Sequence, residues 1–288
     1  REKLVNVARR LSSAHISPTG ARALFEARGE ILTVPAEKGD PRNLTETPGV
    51  VERDPAWSPD GKWIAYFSDA SGEYELHLKD SLGKGEAQKI RLEEKPTFYL
   101  SPRWSPDSKK IAYEDAHLNI WYVDIEQKKP VLVDKDRYWG GFGGRIGGWS
   151  PDSKWLSYTK RLPNYLGAVF LYGLADAKST QLTDGMSDAR HPVFDKDGKY
   201  LYFTASTDAG PSLEPDIQGV ARTQTRSIYL AVLTKAEASP FAPESDEEKA
   251  AEKKADAPKP EAAKTDAPKP DAPKADASKP AEVKVPEV

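Results

Sequence analysis

Cysteine is absent from all 288 residues. Disulfides and thiolate chemistry are thereby excluded, although the absence does not fix the compartment. Apolar runs are short, and none reaches the ~18 residues that a membrane-spanning helix requires. Histidine occurs only at His15, His77, His117 and His191, and no two of these stand at metal-ligand spacing. Basic excess is missing too. The 42 Lys and Arg face 45 Asp and Glu, for a formal net charge of -3, which is not the footprint of a nucleic-acid or anionic-membrane binder. The sequence also lacks a GxSxG nucleophile elbow, an HExxH helix and a GKS or GKT phosphate loop. No catalytic residue, cofactor or metal ligand is therefore assigned.

What the sequence does have is repetition. "AWSPDGKWIAY", "RWSPDSKKIAY" and "GWSPDSKWLSY" are near-copies anchored at Pro59, Pro106 and Pro151. Weaker copies lie at "ISPTGARALFE", around Pro18, and "VFDKDGKYLYF", with Lys196 in the proline slot. A period in the low to middle forties fits a four-stranded propeller blade or a HEAT-type helical repeat. Strand chemistry decides between them. Ser58, Pro59, Asp60 and Gly61 are the residue types of a type I turn in order, so the chain reverses there. Each turn leads into an aromatic and β-branched segment such as "KWIAYFS" or "KYLYFTA", and a second strand signal follows. The expectation is an all-β propeller of four-stranded antiparallel blades, about five of them visible. Trp57, Trp104 and Trp149 read as packing between blades. Asp60, Asp107 and Asp152 read as Asx-type turn ligands rather than an acidic ring.

Two segments break the pattern. "GGFGGRIGG", Gly140 to Gly148, fails the GxGxxG dinucleotide pattern and leads into a strand, so it reads as an inter-blade loop where backbones approach closely. "DKDG" at Asp195 occupies a turn slot and lacks the other ligands of a calcium loop. In the fifth repeat the stretch between Ser206 and Ile228 is far longer than its equivalents, and long connections in compact domains are usually functional or disordered. Asp216, Arg222 and Arg226 make this loop the candidate contact for a peptide or a neighbouring domain, with a solvated insertion as the other reading. From Ser239 the chain turns to Ala, Pro, Lys and Asp with Phe241 as its single aromatic. Such a composition cannot bury enough surface to fold alone. The expected division is a propeller over 1–238 and a disordered linker over 239–288.

The repeated W-S-P-D with its following strand resembles the PD40-type blade, which is shared by TolB, prolyl oligopeptidase and tricorn propellers. The ending "DGKYLYFTASTDAGPSLEPD", then "SIYLAVLTKAEASPFAPESDEE", then a charged Ala/Pro linker is similar to the second propeller of tricorn-like serine peptidases. That resemblance implies a parent whose propellers gate or channel peptides to a downstream catalytic region, which itself holds the nucleophile. Its implied partners are peptides and the parent's own catalytic domains, with homo-oligomerisation of the full-length parent, no nucleic acid and no membrane. The cytoplasm is favoured and the periplasm is the alternative. It also implies seven blades. The chain starts at Arg1, so an N-terminally incomplete ring is expected, with Leu24, Phe25, Tyr202 and Phe203 near its uncovered ends. A TolB-like binding scaffold and the propeller of a prolyl-oligopeptidase-type hydrolase are the alternatives.

Overall fold

The computed structural model describes residues 7–138, 144–207 and 225–242. Its strands are β1 (Leu11–Ile16), β2 (Arg22–Ala27), β3 (Glu30–Pro35), β4 (Arg42–Asn43), β5 (Glu52–Trp57), β6 (Trp63–Ser68), β7 (Glu75–Asp80), β8 (Gln88–Ile90), β9 (Tyr99–Trp104), β10 (Lys110–Asp115), β11 (Asn119–Asp124), β12 (Lys129–Lys135), β13 (Ile146–Trp149), β14 (Trp155–Arg161), β15 (Gly167–Gly173), β16 (Lys178–Gln181), β17 (Arg190–Phe194), β18 (Tyr200–Ala205) and β19 (Ser227–Val232). They form five antiparallel meanders. Four are four-stranded, and the fifth, β17-β18-β19, holds three described strands. Consecutive first strands touch one another, β1 with β5, β5 with β9, β9 with β13 and β13 with β17. The sheets therefore stack in sequence with their first strands innermost, which is a β-propeller. Inward convergence also shows in His15. Its pKa is held below the ordinary value by burial and then by the charge of Arg103, two blades away.

The turn between the first and second strands follows the sequence expectation. Gly61, Ser108, Ser153 and Gly198 each donate their N–H to the carbonyl three residues back. In the second blade Ser58 Oγ donates to Asp60 Oδ1 at 2.6 Å, and the same carboxylate oxygen accepts the Lys62 N–H. The third and fourth blades repeat this with Ser105 and Asp107, and with Ser150 and Asp152. Thus the aspartates are turn ligands, not a functional ring. The indoles join neighbouring blades: Trp104 Nε1 donates to Ala56 O at 3.1 Å and Trp149 Nε1 to Arg103 O at 2.9 Å. The turns are joined as well. Ser108 Oγ accepts the Asp60 N–H at 3.0 Å, and Ser153 Oγ accepts the Asp107 N–H at 3.1 Å. Both serines sit at positive φ, 58° and 60°, in the slot that Gly61 and Gly198 fill elsewhere.

Apolar residues alternate along the second and third strands, so each blade buries one row against the preceding blade and the other against the following one. Leu24 is fully buried in the cluster of Ile31, Leu44, Ile64 and Tyr66 that joins the first two blades. It faces its neighbour, and its expected place on an uncovered end is corrected. Phe203 likewise turns toward the fourth blade and stacks on Tyr229, with centroids 5.8 Å apart. Tyr202, on the opposite face, is exposed as expected, beside Val193 and Ile228. On the first blade Ile16 fills the tryptophan slot and is 74% exposed. The linker expected from residue 239 lies, beyond residue 242, outside the described residues.

Candidate functional site

Every first strand carries a bulge where its pairing with the second strand slips by one residue. Ser13, Asp54, Ser101 and His191 take up the slip at φ between 48° and 56°. In the fourth blade glycines do so instead, the pairing skipping Gly147 while Gly148 stands at φ 153°. Beside it, a Cβ on Gly147 would stand 2.1 Å from Pro192 O of the fifth blade. The tail of the glycine-rich segment is therefore a close backbone approach, as the sequence suggested. Its first part, 140–143, lies outside the described residues. A bulge kinks and re-aims its strand.

Arginine recurs just before the bulge, at Arg53, Arg145 and Arg190, and each guanidinium is met by a carboxylate. Arg53 pairs with Asp54 at 3.1 Å, donates to Tyr99 O at 2.8 Å and lies over the Phe98 ring at 3.7 Å. Arg145 Nε pairs with Glu114 Oε2 at 2.7 Å, and the other oxygen of this fully buried carboxylate accepts the Arg145 N–H. Arg190 Nε pairs with Asp188 Oδ1 at 3.1 Å. Asp188 also accepts the Gly167 N–H at 2.8 Å. Burial would raise the Asp188 pKa, but the hydrogen bonds from Arg226 and Gly167 and the charges of Arg190 and Arg226 outweigh it and hold it low. Glu114 and Asp188 were not singled out from the sequence. Only the recurrence of arginine one slot before the bulge could have pointed to them.

Between the inner ends of the third, fourth and fifth blades these groups frame a cleft of about 190 Å³. Asp136, Tyr138, Arg145, Arg161, Arg190 and His191 line it. Three arginines suggest an anion cradle, yet Arg145 and Arg190 are already neutralised by Glu114 and Asp188. What the walls offer is polar and of mixed sign, with the Arg161 N–H on Asp136 beside these paired guanidiniums. Nucleophilic chemistry is also poorly served. His191 Nδ1 lies 3.2 Å from Thr204 Oγ1, but that hydroxyl donates to Arg190 O rather than to the ring, so the pair is not the nucleophile held against a base that activation requires.

Of the three contact candidates, Asp216 and Arg222 lie outside the described residues. Arg226 sits at the returning end of the long loop. Its guanidinium donates to Asp188 O at 2.7 Å and pairs with the Asp188 carboxylate, tying the start of β19 to the segment that leads into β17. Of the other histidines, His77 is buried edge-on to Tyr66, and the exposed His117 donates its backbone N–H to the Asp115 carboxylate at 2.8 Å. "DKDG" is the fifth-blade turn, with Asp195 Oδ1 accepting the Tyr200 N–H at 2.9 Å. Among the described residues no helix is long and apolar enough to cross a membrane.

Residues 11–285 match the family described as the tricorn protease second beta propeller domain. Among curated proteins, Tricorn protease homolog 1 of Streptomyces coelicolor is 27% identical over 246 residues, which cover 83% of this chain and 23% of that protein. The Tricorn protease homolog of Saccharolobus solfataricus is 28% identical over 138 residues, 47% of this chain and 12% of its own length. The chain thus spans about a quarter or less of these relatives. Among solved structures, the tricorn protease superposes with a TM-score of 0.64 at 17% identity, covering 80% of this chain and 22% of that one. A putative TolB from Agrobacterium tumefaciens gives 0.52 at 19% identity, over 69% and 71%. Both likenesses are of fold.

Proposed function

The chain belongs to the tricorn protease second β-propeller family, and from that premise we propose that it is a non-catalytic segment that gates or channels peptides toward an active site elsewhere in its parent protease. The observation that carries the reading is the inner rim. Bulged first strands bring polar, internally neutralised side chains to one side of the blades, around a cleft that can hydrogen-bond a peptide without binding it tightly. Its partners would be peptides and the parent's own catalytic domains, within a homo-oligomeric parent. The loop between residues 206 and 228, with Asp216 and Arg222, is our candidate for the contact with those domains. The division into a propeller over 1–238 and a linker over 239–288 belongs to the same proposal.

Two measurements test it. Residues 1–288 alone should hydrolyse no fluorogenic peptide above buffer background, and activity that survives purification and yields to a serine-directed inhibitor would refute the non-catalytic reading. In the parent protease, Arg103→Glu reverses an exposed charge whose field reaches across to His15. It should change kcat/KM for long acidic and long basic peptides in opposite directions and leave a tripeptide substrate unaffected. Equal effects on all three, or none, would refute the channel.

A further inference from the structure

Among the described residues the fifth blade leaves one edge without a partner strand. Elsewhere the third strand is covered by a fourth, with β7 pairing β8, β11 pairing β12 and β15 pairing β16, whereas among the described residues β19 pairs only with β18. That edge has a register. The stacked pair Phe203–Tyr229 on β18 and β19 repeats the stacked pair Tyr158–Phe170 on β14 and β15, each pair directly opposite across its ladder and each at 19°. In the fourth blade the residues following Phe170 pair with Thr180 and Ser179 of β16. By equivalence Tyr229, Leu230 and Ala231 await a strand. The blades also share a habit: Leu44, Ile90, Val133 and Leu182, on or just after the fourth strands, all pack toward the following blade. On that face of the fifth blade Ile228 is 77% exposed and Val193 55%.

We propose that the fourth strand of this blade is supplied by the C-terminal segment of the same chain, residues 281–285, laid antiparallel on β19 with Val283 opposite Leu230 and Val285 opposite Ile228, which would shorten the proposed linker to 239–280. Beyond Phe241 the only apolar residues larger than alanine and proline are Val283, Val285 and Val288. "AEVKV" alternates as a half-buried strand does and is bounded by Pro280 and Pro286, residues that strands tolerate at their ends. It has the character of β12, which opens "KPVLV". The family match also runs through the low-complexity stretch and stops at residue 285, so the segment is part of what the family shares. Reach is no obstacle. A flexible tether of about 50 residues has a root-mean-square span of roughly 40 Å, and such tethers give effective concentrations in the millimolar range. Even a weak strand would dock.

Because the chain has no cysteine, paired substitutions give a clean readout. Leu230→Cys with Val283→Cys in the full chain should form an intramolecular disulfide under mild oxidation, in at least fivefold greater yield than Leu230→Cys with Ala267→Cys, which tethers the partner in the linker. Equal yields would overturn the proposal, as would dimers linked between chains, which would assign the edge to a second copy. Hydrogen exchange supplies a second measurement without the cysteines. Val283→Asp with Val285→Asp should speed exchange of the β19 amides at least tenfold and leave β6 and β10 unchanged, and unchanged β19 protection would overturn the docking.

Discussion

Ser153 permits a sharp test of how the blades are joined. It holds φ at 60°, a conformation that costs an ordinary L residue about 1–2 kcal/mol and glycine almost nothing. In exchange its Oγ accepts the Asp107 N–H of the preceding blade at 3.1 Å, at a site only 5% exposed. Such a bond contributes about 0.5–1.5 kcal/mol net. Ser153→Ala deletes the bond and keeps the strain, so it should destabilise by about 1 kcal/mol. Ser153→Gly deletes the same bond but sheds the strain, against which stands the ~0.4–1 kcal/mol of extra freedom glycine gives the unfolded chain. The smaller side chain should therefore be the less harmful, by about 0.5–1 kcal/mol, or roughly 1–4 °C in Tm for a domain of this size. Urea and thermal unfolding of wild type and both variants measure the order. Alanine tolerated as well as glycine, or better, would show that the serine is not held in a strained turn by the bond to its neighbour. At Gly61, where φ is 74°, alanine should cost about 1 kcal/mol, and serine should recover part of that by reaching the first-blade turn.

Other expectations follow from single contacts. Glu114→Gln leaves the half-buried Arg145 guanidinium without its counter-charge and should destabilise by about 3 kcal/mol in chemical denaturation, as one-sided removal of buried pairs does; a loss under ~1 kcal/mol would mean that water screens the pair. Burial, and then the charge of Lys89, lowers the His77 pKa to about 4, with Glu75 opposing. Native His77 thus binds fewer protons than the unfolded chain between pH 6.5 and about 4, so stability is full above that window and lost as pH falls through it, by up to about 3 kcal/mol. His77→Phe should flatten the pH–stability curve there, and an unchanged slope would assign the acid sensitivity to other groups. Trp149→Phe loses the bond to Arg103 O, whereas Trp57 Nε1 is buried without a hydrogen-bond partner. Trp57→Phe should accordingly be the milder of the two by about 1 kcal/mol, and thermal melts that reverse the order would contradict the assignment of the indoles as inter-blade ties.

Much of the fold was legible because propeller chemistry is local. The turn at Ser58, Pro59 and Asp60 is closed by bonds within six residues, and the strand that follows is written in aromatic and β-branched types. Direction was harder to read. Leu24 and Phe25 are adjacent and equally apolar, and which of them meets the next blade depends on the register of β1 and β2, where the bulge at Ser13 shifts the pairing. A one-residue slip exchanges the faces of a strand, so nothing in the composition of that segment could have settled it.

The inner rim was illegible for a further reason. Two of its ties are long-range in sequence: Glu114 and Arg145, on neighbouring blades, are thirty-one residues apart, and Asp188 and Arg226, at the two ends of the fifth blade's long excursion, thirty-eight. A motif search reads fixed spacings inside one unit, and these carboxylates sit at different positions in their blades, Glu114 near the end of a second strand and Asp188 just ahead of a first strand. The arginines kept their slot while their partners drifted. That asymmetry is what stacked sheets permit, because the guanidinium can be met from the neighbouring blade, as by Glu114, or from its own, as by Asp54 and Asp188. Fixed spacing belongs to the turns, which each blade must make for itself, and variable pairing belongs to the rim, where the carboxylate that meets each arginine comes from a different place in the sequence.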